Sequence, residues 1–80
     1  MGSQDPSQIV APMPGKIIKI EAQVGMLVQP GDLLVVMEAM KMEYKLKAAC
    51  IGSVEKILCG QGDQVPVGET LIVLKEKENG

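Results

Sequence analysis

Sliding the sequence against itself exposes an internal repeat, the feature that most restricts what this chain can fold into. At an offset of 37 residues, positions 11 to 37 align without a gap with positions 48 to 74, giving nine identities in 27 positions. Ordinary residue usage would give about two. The matched pairs carry physical meaning. Gly15/Gly52, Gly25/Gly62 and Gly31/Gly68 read as turn positions where a residue without Cβ can take positive φ. Ile20/Ile57, Val28/Val65, Leu34/Leu71 and Val36/Val73 read as core positions. Each half is a series of short β-branched runs broken by glycine turns, with Pro30-Gly31 suited to the centre of a type II turn. The run from Leu33 to Met37 and its partner from Leu71 to Leu74 read as buried strands rather than helices, being short and rich in Val, Leu and Ile.

Half of this sequence is too short to close a core, whereas two halves related by an approximate twofold axis can pack as facing sheets. The expected fold is all-β: a flattened sandwich or barrel of two four-stranded antiparallel sheets, about eight short strands. Residues 8–76 form the expected domain, with 1–7 (MGSQDPS) a tag or linker and 77–80 a flexible C-terminal tail. Met1 to Ser7 lacks the apolar core of a signal peptide, and no run approaches the 18 or more apolar residues that a spanning helix needs.

Composition removes most chemistry. The chain has no His, no Arg and a single aromatic residue, Tyr44, so histidine-dependent catalysis, aromatic cages and base stacking lack their parts. A net charge of −2, carried by ten acidic residues against eight lysines, argues against nucleic-acid binding, which needs a concentrated positive face. Cys50 and Cys59 have neither metal-site spacing nor the number for a disulfide framework, and read as small apolar fillers in a reducing compartment. No metal site is expected. Asp32, Asp63 and Glu69 read as turn and solvation residues, not as a catalytic pair.

The repeat also isolates what it does not contain. Residues 38 to 41 fall between the halves, in the stretch Glu38-Ala39-Met40-Lys41-Met42-Glu43. It joins the Leu33 to Met37 strand to one beginning near Glu43 or Tyr44, so it reads as a β-hairpin tip projecting away from the chain ends. A lysine in such a turn is ordinarily a solvated charge. Two methionines flanking it are not ordinary: polar residues are the usual choice, and thioethers suit contact with more than one partner.

At these residues the sequence resembles the biotinyl domain, the biotin carboxyl carrier module of biotin-dependent carboxylases. The attachment motif Ala39-Met40-Lys41-Met42 stands intact, preceded by Glu38. The opening Ala11-Pro12-Met13-Pro14-Gly15, the turns Val24-Gly25 and Pro30-Gly31-Asp32, and the downstream Gly52, Gly62-Asp63 and Gly68 fall where family members have them. The resemblance covers about residues 10 to 75. It implies biotin joined by an amide to Lys41, with Glu38, Ala39, Met40 and Met42 serving recognition. It also implies a carrier without catalysis of its own, passing a carboxyl group from a biotin carboxylase to a carboxyltransferase after loading by a biotin protein ligase. Cytoplasm or mitochondrial matrix is the implied location, and an isolated domain of this kind is expected to be a monomer.

Lipoyl carriers share the fold and the tip lysine, but typically have Asp before it and a small residue after it. The Met pair here favours biotin. Biotinyl-like domains of efflux adaptors are commonly interrupted at the tip by a helical hairpin, whereas here strand, turn and strand run on from Leu33 to Lys47. No insertion corresponds to the protruding thumb of some bacterial acetyl-CoA carboxylase carriers.

Overall fold

The computed structural model describes residues 6–77; the expected tail beyond Lys77 and most of the expected N-terminal linker lie outside the described residues. Eight strands follow one another: β1 (Gln8–Val10), β2 (Gly15–Ile20), β3 (Leu27–Val28), β4 (Leu33–Ala39), β5 (Met42–Lys47), β6 (Gly52–Ile57), β7 (Gln64–Val65) and β8 (Thr70–Glu76). They form two antiparallel four-stranded sheets, ordered β1-β8-β6-β3 and β5-β4-β2-β7. The sandwich of short strands that the residue pattern predicts is the architecture found.

Every strand of one half has a counterpart 37 residues on, and each sheet draws two strands from each half. The hydrogen bonds keep the same offset. Gly31 N donates to Ala48 O as Gly68 N does to Ala11 O, both at 2.9 Å, and Gly25 N donates to Val54 O as Gly62 N does to Ile17 O. A register shift at Ile17/Lys19 recurs at Val54/Lys56. Because the strands interleave, neither half owns a sheet and the two halves must order together.

Turn chemistry explains the punctuation. Gly25, Gly31, Gly62 and Gly68 all take φ between 86° and 95°. In the second of these turns Asp32 N donates to Gln29 O at 3.0 Å, closing a four-residue turn with Pro30 and Gly31 at its centre, the type II arrangement read from the sequence. Carboxylates brace two of the turns: Gln29 N donates to Asp32 Oδ2 at 3.0 Å, and Gly60 N to Asp63 Oδ2 at 2.7 Å. The space around a Cβ at Gly31 is empty, so only backbone strain opposes substitution there. Gly31→Val should therefore fold but lose about 1–3 kcal/mol, a fall in melting temperature of roughly 4–24 °C for a domain this size. An unchanged thermal melt would contradict the turn.

Gly15 and Gly52 depart from the sequence reading. They open β2 and β6 and are absent from the positive-φ residues. Glycine is needed at these positions because a neighbouring strand lies too close for any side chain: a Cβ on Gly15 would sit 2.5 Å from Glu38 O and 3.0 Å from Ala39 Cβ.

The core is aliphatic. Ile17, Leu34, Val35, Met37, Leu71 and Ile72 are fully enclosed between the sheets, with Val28, Val54, Val65 and Leu74 beside them and Ile20, Ile57, Tyr44 and both cysteines packed at its margin. Two of the expected core pairs depart from the reading: Ile20 and Ile57 are only half-buried at the margin, and Val36 and Val73 lie outside the core cluster. Val36 is buried but outside the core cluster and Val73 is only half-buried, because strand alternation turns them to the outer faces beside inward-facing Val35, Met37, Ile72 and Leu74.

Candidate functional site

The site is the β4–β5 hairpin, and its geometry begins with the pairing below the tip. Six register pairs run from Leu33↔Lys47 to Ala39↔Met42, so both strands extend further than expected and leave only Met40 and Lys41 unpaired. The tip is thus two residues, shorter than the six-residue stretch read from the sequence. Met40 and Lys41 make the reversal at φ of 52° and 66°. Positive φ at both central residues is the signature of a type I′ turn, whose twist matches that of the flanking strands. Asn-Gly is the usual occupant; placing two side-chain-bearing residues there costs roughly 1–2 kcal/mol each. Strain of this kind persists only where surrounding structure imposes it.

That structure is visible around Ala39. Its side chain is buried against Gly15, while the next residue, Met40, is 85% exposed and Met42 59% exposed. Lys41 is exposed between them. Neither methionine caps the core. Among the described residues Lys41 forms no ion pair or hydrogen bond, the salt bridge found being Lys19 to Glu21 at 3.0 Å on β2. The amine stands free at the apex.

One rung below, Glu38 and Glu43 face each other across β4 and β5, with Lys16 opposite Glu38 on β2. Like charges directly opposed are unfavourable in a sheet. All three are exposed, which keeps the cost small and leaves an acidic base beneath the tip. On the other face, Tyr44 Oη lies 4.0 Å from Met42 Sδ in donor orientation, so the one aromatic residue of the chain reaches from the core margin to a methionine beside Lys41.

The structure therefore gathers Glu38, Ala39, Met40, Lys41 and Met42 at one projecting end, with Ala39 alone turned inward. Sequence reasoning missed Gly15 and Tyr44 as supports. Gly15 is opposite the tip only through the β2–β4 register, which no local pattern displays; the i, i+2 spacing of Met42 and Tyr44 was a signal available on a strand.

Elsewhere the chemistry is sparse. Cys50 and Cys59 form no disulfide, and burial, followed by the charges of Asp63 and Glu69, pushes the Cys59 thiol up from its ordinary value, away from nucleophilic use. Among the described residues no cluster of His, Cys, Asp and Glu could hold a metal ion, and no helix is long and apolar enough to cross a membrane.

Comparison with known proteins agrees with this geometry. The family model described as "Biotin-requiring enzyme" matches residues 7–74. The chain is 38% identical over 76 residues to the mitochondrial methylcrotonoyl-CoA carboxylase subunit alpha of rice, Oryza sativa subsp. japonica, covering 95% of this chain and 10% of that protein. It superposes on the crystal structure of Kluyveromyces lactis urea carboxylase with a TM-score of 0.81 and 33% identity, over 94% of this chain and 7% of that one. It superposes also on the lipoyl domain of the Azotobacter vinelandii 2-oxoglutarate dehydrogenase complex, with a TM-score of 0.77 and 27% identity, over 89% of this chain and 98% of that domain. The chain spans a tenth or less of the two carboxylases it matches. With the family model covering nearly all the described residues, the chain belongs to the biotin and lipoyl attachment family, and its relatives are biotin-dependent carboxylases at their biotinyl domain.

Proposed function

We propose that this chain is a biotin carboxyl carrier domain, biotinylated on Lys41, that shuttles an activated carboxyl group between a biotin carboxylase and a carboxyltransferase. The observation that carries the reading is the two-residue turn that holds Lys41 exposed and unpaired between two exposed methionines. Such a site fits a prosthetic group attached through an amide. The amine has no competing partner, and no neighbouring segment of the described chain covers it.

A ligase must select this lysine from eight. Lys16, Lys19, Lys45, Lys47, Lys56 and Lys75 all lie within strands and Lys77 follows the end of β8, whereas Lys41 is at a reversal between paired strands. Geometry makes the choice. The deprotonated Nζ of Lys41 attacks the acyl carbon of biotinyl-adenylate held by the ligase; the C–O bond of the mixed anhydride breaks, AMP leaves, and the nitrogen gives up its proton as the amide forms. The formal charge of the protein then passes from −2 to −3. Met40 and Met42 offer apolar contact to ligase and carboxylase surfaces, and Glu38 supplies charge at the base of the tip.

Attached biotin supplies a ureido nitrogen able to carry a carboxyl group. The domain's part is reach: side chain and biotinyl chain together span roughly 10–15 Å by bond-length arithmetic. Tethering keeps that arm at high effective concentration near both partner sites. The chain contributes no acid, base or metal to the transfer. Such a carrier works inside the cell, in cytoplasm or mitochondrial matrix, and is a monomer when isolated.

Coexpression with a biotin protein ligase and excess biotin tests this directly. Intact mass should increase by one biotinyl group, with the modified peptide containing Lys41. A mass that stays unmodified, or that increases by a lipoyl group when both ligases are present, would overturn it.

A further inference from the structure

Lys41 is flanked by two of the chain's six methionines, and their exposure sets them apart. Met37 is fully buried, and Met13 and Met26 are half-buried. Met40 and Met42, at 85% and 59%, are the two exposed methionines among the described residues. A thioether is readily oxidised when solvent and peroxide reach its sulfur, and the product is polar where the parent was apolar. The chain thus concentrates its oxidisable sulfur at the surface a ligase has to read.

We infer that Met40 and Met42 form a peroxide-sensitive modification site whose oxidation to methionine sulfoxide blocks loading of Lys41. The inference rests on Lys41 being the acceptor for a biotin protein ligase. In the reaction, the sulfur lone pair attacks the O–O bond of hydrogen peroxide. One oxygen atom is transferred to sulfur, sulfur is oxidised by two electrons, and the remaining oxygen leaves as water. Methionine sulfoxide reductases with a thiol reductant reverse it, one enzyme for each sulfoxide epimer.

The two sulfurs are not equivalent. Tyr44 Oη approaches Met42 Sδ at 4.0 Å, covering one side of that sulfur and competing for its lone pair, whereas Met40, 85% exposed, has no such hydroxyl contact among the described residues. Met40 should therefore oxidise first. The cysteines compete poorly: both are half-buried, Cys50 Sγ donates to Pro6 O at 3.6 Å, and the Cys59 thiol is held in its protonated form by burial and by the carboxylates of Asp63 and Glu69.

The test treats the purified, unbiotinylated protein with graded hydrogen peroxide, maps oxidised peptides by mass spectrometry, and then measures the initial rate of biotin transfer by biotin protein ligase with biotin and ATP. Sulfoxide should form at Met40 before Met42 and reach Met37 last. Loading should fall about tenfold or more, the scale of losing an anchor contact in an interface, and should return after treatment with both reductases. The Met40→Leu, Met42→Leu double variant keeps both cysteines; whatever its own rate, peroxide should leave that rate unchanged. Oxidation beginning at Met13 or Met26, full loading of the oxidised protein, or peroxide sensitivity surviving in the double variant would each overturn the inference. Failure of the untreated protein to accept biotin would instead overturn the carrier reading itself, so the two failures are distinct.

Discussion

Lys41→Arg is expected to abolish biotin incorporation while leaving the fold intact. The side chain is exposed and unpaired, and arginine tolerates the same backbone as lysine, so stability should change by no more than about 0.5 kcal/mol, as for surface substitutions generally. Chemistry is what is lost. A guanidinium stays charged throughout the accessible pH range and offers no neutral amine to an activated acyl group. An avidin blot of the variant, after coexpression with ligase, should show no signal above background. Persisting signal would move the attachment point to another lysine, and the strand-bound Lys45 and Lys47 on the same hairpin would be the first to check.

Gly15→Ala should be the most damaging single-methyl change near the site. The added Cβ would meet Glu38 O at 2.5 Å, Met37 Cε at 2.8 Å and Ala39 Cβ at 3.0 Å. Met37 can turn its terminal methyl aside, but the Glu38 carbonyl belongs to the backbone of β4, which is held by β2 on one side and β5 on the other. Fraying cannot relieve the clash, because β4 continues through the turn into β5. Overpacking of this kind costs about 1–3 kcal/mol, and the backbone contact puts Gly15→Ala at the upper end, a fall in melting temperature of roughly 12–24 °C. Ligase acceptance should also decline, since the displaced residues Glu38 and Ala39 lead into the strained Met40-Lys41 reversal. A melting temperature within a few degrees of the parent would show that β2 and β4 can separate without loss, contrary to their packing.

How much of this could be read in advance differs from residue to residue. The type II turn at Pro30-Gly31 was legible because it depends on two adjacent residues whose φ preferences are intrinsic. The buried run from Leu33 to Met37 was legible for the same kind of reason, a local pattern of side chains. Its true end at Ala39 was not, because pairing with Met42 decides where the strand stops. Gly15 was misread as a turn residue: a glycine required by positive φ and one required by a close neighbour look identical in sequence, and only the neighbour distinguishes them. Val36 and Val73 carried the right hydrophobicity but the opposite parity to the fully enclosed Val35 and Ile72, fixed by the register shifts at Leu33/Val35 in β4 and at Thr70/Ile72 in β8.

By itself, then, the sequence determined a two-part β architecture, the glycine turns at Gly25, Gly31, Gly62 and Gly68, the poverty of reactive side chains and the identity of the lysine worth attention. These follow from short-range preferences and from residue chemistry. Tertiary structure decided the rest: that only Met40 and Lys41 form the tip, that both are driven to positive φ, that Ala39 is pulled inward against Gly15, and that Glu38 faces Glu43. Each of these depends on register between strands distant in sequence. A shift of one residue would preserve every local preference and turn the tip residues to the opposite face.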